Sequence, residues 1–361
     1  MRLNFKYIFI ALAAILAAVA CNKETRPDND ANWTPILLNA KEAGTNRHLN
    51  NGTFSETKAM LDAGDGETQG TFYTDGNRLQ IYDFVDNATE AYIDDQVGPD
   101  VPGNNYGYPG VWPFVGGPHQ WTPGVHKFFG WLAYDANTGM EEAADTPVEF
   151  FGTGFTFAEA TRTLTIPSKT MTTETPQFDF LYSNIISTEA RQEPVGLVFS
   201  HLFTAFRITA LNRDDASTIT IKKIVLSGIH NTKSAQIVFS GTTPVVTYND
   251  SGTHDDFTFT ISAADGVLTT DAKDMTATYL LWPQTSADFT HATMSIEYDY
   301  TIDGQTSQNS RPGIPLGSTF EWKAGVVNSL NIAFDVDQIT FYINSLQEWD
   351  YANEQDIVVG L

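Results

Sequence analysis

The side chains that most often perform chemistry in proteins are scattered along this chain. Histidines lie at positions 48, 119, 126, 201, 230, 254 and 291. None of them forms an H-E-x-x-H motif or the paired spacing of a zinc site. The sequence also lacks a G-x-S-x-G nucleophile elbow, a phosphate-binding loop and a dinucleotide fingerprint. The sequence therefore predicts no enzyme activity, no metal site and no cofactor.

Carboxylates are abundant, since 44 Asp and Glu residues oppose 20 Lys and Arg residues and give a net charge of −24. A glycosidase needs two positioned carboxylates, but no pattern selects two of these 44. An acidic surface repels phosphate backbones and anionic lipid headgroups. We therefore expect no nucleic acid as a partner.

The only cysteine, Cys21, directly follows a signal-like segment. Arg2 and Lys6 precede an apolar run over residues 7–20 that ends in small residues. This run is shorter than the roughly 20 residues that a membrane-spanning helix needs. The pattern predicts a signal peptide at residues 1–20 and lipid attachment at Cys21, which would anchor the chain in a membrane. The alternative is an ordinary signal peptide with a chance cysteine.

Period-two alternation of apolar and polar residues dominates the rest of the chain. It is clear in 257–261 and 294–300 and recurs in shorter runs at 79–82, 162–166, 219–221, 330–334 and 339–343. Such runs predict half-buried antiparallel strands. Asp303-Gly304 lies between two of them and predicts a hairpin turn. We expect an all-β protein built from sandwiches or barrels.

The length indicates more than one domain, because single cores usually stop growing near 250 to 300 residues. A polar dip at 187–194 suggests the boundary. We expect a lipidated tether, plug strand and cleavable linker at 21–58, an N-terminal domain at 59–190, a C-terminal domain at 191–337 and a terminal segment at 338–361.

Residues 97–131 combine six prolines and eight glycines with many aromatic residues. Trp112 and Trp121 are candidates for an exposed platform on which sugar rings stack. The alternative is that these aromatic residues pack the segment against its own domain.

Several segments together resemble the fimbrillin family, whose members are pilus subunits exported as lipoproteins. The similarity extends along the mature chain and rests on motifs at 57–59, 77–83, 121–131, 195–206, 279–284 and 321–325, followed by Trp349. The resemblance implies two tandem transthyretin-like β-sandwich domains. It also implies a structural or adhesive subunit of a surface pilus at the outer membrane, with other pilus subunits as partners and a host protein or glycan as a possible receptor.

The resemblance further implies assembly by donor-strand exchange. A plug strand near the amino terminus, with Ile36 and Leu38 on one face, would be cut away after Arg47 or Lys58. The tail of another copy would then replace it through two segments joined by residues 344–356, with the apolar residues Ile339, Phe341, Ile343, Ile357 and Val359. The alternative is a monomeric surface lipoprotein, including a tip adhesin, that binds glycan or another host ligand.

The lipid anchor is testable by replacing Cys21 with Ser. Loss of the thioether removes acyl chains whose membrane affinity is about 0.8 kcal/mol per buried CH₂. We expect the variant to move from the membrane fraction to the soluble fraction, as measured by immunoblotting of fractionated cells. Unchanged partition between the fractions would contradict lipidation at this residue.

Overall fold

The computed structural model describes residues 34–42, 76–99, 111–136, 145–173, 177–252, 254–317, 321–335, 338–347 and 350–360. Cys21, Arg47 and Lys58 lie outside these residues. The predictions made for them therefore remain predictions.

The described chain is almost entirely β-structure, which confirms the predicted fold class. Its strands are β1 Leu38–Glu42, β2 Arg78–Val85, β3 Ile93–Val97, β4 His126–Tyr134, β5 Thr156–Ala158, β6 Thr163–Thr170, β7 Leu181–Ser183, β8 Ile186–Thr188, β9 Val195–His201, β10 Thr204–Asn212, β11 Ser217–Ser227, β12 Thr232–Val238, β13 Val245–Asp250, β14 Phe257–Thr260, β15 Lys273–Asp274, β16 Tyr279–Leu281, β17 Thr293–Ile302, β18 Gln305–Pro315, β19 Val327–Phe334, β20 Gln338–Gln347 and β21 Asp350–Gly360. Every alternating run named above lies in or overlaps one of these strands.

Within the described residues, helical structure is limited to short pieces. The helix α1 spans Pro147–Phe151, with proline at its first position and Thr146 accepting a hydrogen bond from the Glu149 N–H at 3.2 Å. Two 3₁₀ turns lie at Glu159–Thr161 and Asp288–His291. None of the helices in the described ranges has the length and apolarity that crossing a membrane requires.

Two large sheets contain most of the strands. The first has the order β1-β9-β7-β4-β2-β3, with β8 also paired to β4. The second has the order β15-β10-β19-β20-β21, with β16 also paired to β10. Neighbours are antiparallel except for β1 with β9 and β10 with β19. In β19 all eight side chains are buried, as expected for a central strand that is covered on both faces.

Two four-stranded antiparallel sheets complete the fold, in the orders β14-β11-β17-β18 and β13-β12-β6-β5. Asp303 and Gly304 connect β17 to β18 with φ angles of 50° and 73°. Positive φ at both positions is the geometry of a type I′ turn, which Asp-Gly favours, and the predicted hairpin is confirmed.

Buried apolar side chains from all four sheets form one connected core. Trp282 packs against Phe203 with ring centroids 4.9 Å apart, and Trp322 packs against Phe206 at 4.8 Å. Both tryptophans are almost fully buried. Both tryptophans therefore act as anchors of this core.

Strand pairing crosses the expected domain boundary between residues 190 and 191. Strand β9 follows that boundary in sequence but pairs with β1 and β7 in the first sheet. Strand β12 pairs with β6, which precedes the boundary. Residue 190 therefore does not separate the sheets, because β9 and β12 complete sheets begun earlier in the chain. A division into two independently folding units stays a prediction.

These crossing pairs predict how a chain cut in the 189–193 loop will behave. A recognition site for a sequence-specific protease is placed between Glu189 and Glu193, which are exposed. After cleavage we expect two fragments on a denaturing gel but a single particle on gel filtration, because β6–β12 and β7–β9 still join the pieces. Separate elution of two folded fragments would contradict this expectation.

Candidate functional site

The predicted plug strand corresponds to β1 and the residues just before it. Strand β1 lies at the end of the first sheet and pairs in parallel with β9, from Leu38 opposite Val195 to Glu42 opposite Phe199. The Val195 N–H donates to the Leu37 carbonyl at 2.8 Å. On this side the plug strand satisfies the backbone of β9.

On its other side the plug strand is bonded to residues 111–121, which we call the aromatic wall. The Ile36 N–H donates to the His119 carbonyl at 2.9 Å. The Trp112 N–H donates to the Leu38 carbonyl at 2.9 Å, and the Trp121 N–H donates to the Thr34 carbonyl at 3.1 Å. The plug strand therefore lies in a groove between β9 and the aromatic wall, with backbone hydrogen bonds to both.

Burial in this groove is nearly complete. Ile36, Leu37 and Leu38 expose 3%, 5% and 1% of their surface. The alternation of Ile36 and Leu38 predicted one buried face, but Leu37 is buried as well. Burying three such side chains stabilises the docked strand by roughly 5–9 kcal/mol before the entropy cost of ordering it.

Polar contacts to β3 hold the aromatic wall in place. The His119 Nε2 lies 2.9 Å from the Asp95 Oδ2, and the Gly116 N–H lies 3.1 Å from both carboxylate oxygens of Asp95. The ring of Phe114 packs edge-on against His119 at 4.6 Å. A segment without regular secondary structure is thereby positioned well enough to bond the plug strand.

A buried pair of ionisable residues lies behind the wall. His126 and Asp83 are both fully buried, and the His126 Nδ1 is hydrogen-bonded to the Asp83 Oδ2. The His126 Nε2 lies 3.0 Å from the Thr122 carbonyl, and the Trp121 ring packs edge-on against the imidazole at 4.8 Å. Burial raises the pKa of Asp83, although His126 and the Lys127 N–H oppose the shift. The pair ties the start of β4 to β2 and supports Trp121.

The predicted donor segment is paired within its own chain. Strand β20 lies against β19 along its length, and β21 pairs with β20 at the edge of the second sheet. Ile339 is 1% exposed. Phe341 and Ile343 lie in β20, and Ile357 and Val359 lie opposite Phe341 and Ile339 in β21. Most of residues 344–356, which were expected to join the two donor segments, lie in these two strands. The hairpin pairing extends to Gln347 and Asp350.

Comparison with known families decides the assignment. A family model described as fimbrillin-like matches residues 124–349, well over half of the chain. The chain belongs to this family. The match begins after the plug strand and the aromatic wall, and it ends before β21.

Solved structures similar to this fimbrillin-like chain include proteins from the bacterial genera Bacteroides and Parabacteroides. A proposed cell adhesion protein from Bacteroides ovatus is 15% identical with a TM-score of 0.44, and the similarity covers 91% of this chain and 99% of that one. A fimbrial assembly protein from Parabacteroides distasonis is 10% identical with a TM-score of 0.38, and the coverage is 79% and 92%. No curated protein shows significant sequence similarity to the chain.

The sugar-stacking platform suggested for the fimbrillin-like chain requires correction at Trp112. Its side chain is 1% exposed and packs in the core, so it presents no face to a sugar. Trp121 is partly buried against the same core and stacks edge-on with Phe128. These residues pack the segment against its own domain, which is the alternative that the sequence left open.

The two histidine–aspartate pairs of this region have no signal in the sequence, because the members of each pair lie far apart in the chain. His119 is 24 residues from Asp95, and His126 is 43 residues from Asp83. His201 is likewise buried, and its Nδ1 lies 2.9 Å from the carboxylate oxygens of Asp179, which is 22 residues away. No spacing rule would have paired these residues.

The plug strand yields a test based on two adjacent residues of β1. Leu38 is fully buried, whereas Asn39 is only half-buried. We expect Leu38→Ala to lower the free energy of unfolding by about 2–5 kcal/mol, because it leaves a cavity in the groove, and Asn39→Ala to lower it by less than about 1 kcal/mol. Urea titration followed by tryptophan fluorescence measures both. Equal losses would show that Leu38 is not a core residue.

Proposed function

We propose that this chain is a structural subunit of a bacterial surface pilus that assembles by protease-triggered donor-strand exchange. Cys21 would carry the lipid that holds the subunit in the membrane before assembly. Cleavage after Arg47 or Lys58 would then separate the plug strand from the rest of the chain. Membership of the fimbrillin-like family supports the pilus assignment.

The observation that carries the proposal is the construction of the groove. The plug strand contributes both hydrogen bonds and apolar side chains, yet it joins the body of the chain only through residues 43–75. Its removal would expose the edge of β9 and the bonding groups of the aromatic wall together. Each buried polar group left unsatisfied costs about 1–3 kcal/mol. An emptied groove therefore favours an extended apolar segment from another molecule, which is recognition by β-augmentation.

The carboxy-terminal hairpin has the chemistry that such a segment needs. The strand β20 places Ile339, Phe341 and Ile343 at alternate positions, and β21 places Ile357 and Val359 in the same way. Because β21 pairs with β20 alone, its other edge has no strand partner in the sheet. Donation requires the hairpin, or β21 by itself, to leave its own sheet and enter the groove of a neighbour.

The partners in this account are other pilus subunits, either copies of this chain or related ones, at the surface of the outer membrane. A host receptor is compatible with a pilus at that surface. Burial of Trp112 removes the main feature that favoured a glycan-binding lipoprotein as the alternative.

Polymerisation should depend on both trimming and the tail. Purified Cys21→Ser protein is treated with trypsin at low ratio and followed by gel filtration, beside a chain truncated after Asp337. We expect polymer only from the trimmed full-length chain, because the truncated chain can open its groove but cannot fill another. The proposal fails if trimmed full-length protein stays monomeric or if the truncated chain polymerises equally well.

A disulfide lock on the plug strand provides a matched control. Asn39 and Gly196 are register partners in β1 and β9, and a Cβ at Gly196 would meet nothing within 4 Å. Neighbouring strands lie about 4.8 Å apart, which suits a disulfide. In the Cys21→Ser background, Asn39→Cys with Gly196→Cys should block polymerisation after trimming until reductant is added. Polymerisation of the oxidised variant would show that the plug strand need not leave.

A further inference from the structure

Two histidines and an aspartate meet on the surface, between the β11–β12 turn and the β13–β14 loop. Among the described residues, His230, Asp250 and His254 offer ligand atoms that all lie within 4.8 Å of one another. His230 follows β11, Asp250 ends β13, and His254 lies in the loop before β14. The ring centroids of the two histidines lie 3.9 Å apart, and the ring planes are nearly perpendicular. The sequence pattern predicts no metal site, because these three residues come together only when the chain folds.

Hydrogen bonds to a buried residue fix the backbone of His230. Its backbone N–H donates to the Gln284 Oε1 at 3.2 Å, and its carbonyl accepts from the Gln284 Nε2 at 2.9 Å. Gln284 is itself buried and pairs through its backbone with Trp322, at 2.8 and 2.9 Å. The position of His230 is therefore set by the core and not by the loop alone.

The carboxylate is held ready as a ligand. The Gly252 N–H donates to the Asp250 Oδ1 at 2.9 Å, which leaves the Oδ2 to bond the His230 Nδ1. Burial alone would raise the pKa of Asp250, but the Gly252 N–H and the His230 imidazole together hold it below its ordinary value. Asp250 is therefore charged at neutral pH.

The loop that carries His254 is also fixed at its far end. The Asp255 N–H donates to the Asn231 Oδ1 at 3.2 Å, and Asn231 directly follows His230. Asn231 is buried and donates to the Met171 carbonyl at 3.2 Å. Both histidines are thus connected to one anchored dipeptide, which limits how far their rings can separate.

A second carboxylate completes the surroundings. The Asp288 Oδ1 lies 3.7 Å from the His230 Nδ1, while its Oδ2 lies 3.2 Å from the ammonium of Lys233. The two carboxylates outweigh the single lysine, so the cluster keeps one negative charge in excess. That charge favours a cation over an anion.

We propose that His230, Asp250 and His254 bind a divalent transition-metal ion of the Zn²⁺ class. Two imidazoles and one carboxylate are ligands that zinc accepts at about 2.0–2.2 Å, whereas calcium and magnesium prefer oxygen alone. Tetrahedral bonds of that length place ligand atoms about 3.3 Å apart. The three ligand atoms already lie within 4.8 Å of one another, so modest side-chain rotations would close the site. The ion would join the β11–β12 turn to the β13–β14 loop, independently of strand exchange.

The test uses untagged Cys21→Ser protein that has been stripped with a chelator, so that no affinity tag or thiol supplies ligands. Zinc binding is measured by isothermal titration calorimetry. We expect one Zn²⁺ per chain, no comparable binding of Mg²⁺, and a Tm that rises with zinc concentration, because the ion binds the folded state. Absence of 1:1 zinc binding, or equal binding of Mg²⁺, would overturn the proposal.

Variants assign the binding to these residues. His254→Ala and Asp250→Asn should weaken zinc binding about tenfold or more, because each removes one of three ligands. His254 is exposed, so its replacement leaves the fold intact. The control is His291→Ala, an exposed histidine at the end of the 3₁₀ turn that contains Asp288. Unchanged binding by His254→Ala, or an equal loss in His291→Ala, would contradict the assignment.

Discussion

Strand β9 has to be covered on the side away from β7, and the segment that covers it comes from much earlier in the chain. A strand edge that is left open exposes unpaired backbone groups beside an apolar face. The aromatic wall bonds the covering strand and not β9, so it too loses its partners when that strand leaves. The integrity of the first sheet therefore depends on the same set of hydrogen bonds that a foreign strand would have to form in the proposed assembly.

In the proposed assembly, the covalent attachment of the plug strand to its own chain controls whether another strand can replace it. While the plug strand is attached, its apolar burial of roughly 5–9 kcal/mol acts within one molecule. After cleavage the plug strand is a separate ligand. A binding free energy of 8.2 kcal/mol, near the upper end of that range, corresponds to a Kd of about 1 μM, which is weak binding. The entropy cost of ordering the released strand weakens this binding further. A neighbour's tail offers more apolar positions, with Ile339, Phe341 and Ile343 in one strand and Ile357 and Val359 in the next. In the proposed assembly, exchange would follow from dilution of the short strand and from the greater length of its competitor.

Local patterns predicted local structure well. Alternation located β2, β17 and β19, and Asp303-Gly304 marked a turn that needs positive φ at both residues. The sequence was less informative about partners. Nothing in 195–201 indicates pairing with residues 38–42, and the bonds of the aromatic wall come from a segment without periodicity. The His–Asp contacts join residues 20 to 43 positions apart, so no spacing motif records them. Alternation also fails to predict the burial of Leu37, which lies between Ile36 and Leu38.

Hydrogen exchange at three backbone amides tests the account most directly. The amides of Val195, Trp112 and Trp121 donate to carbonyls of the plug segment, whereas the amide of Leu268 donates to Ile219 elsewhere in the fold. In the intact subunit all four should exchange slowly. After trimming and removal of the released peptide, the first three should exchange rapidly while Leu268 stays protected, and polymerisation should restore their protection. Persistent protection of the three amides in the trimmed monomer, or its continued loss in the polymer, would contradict strand exchange in this groove.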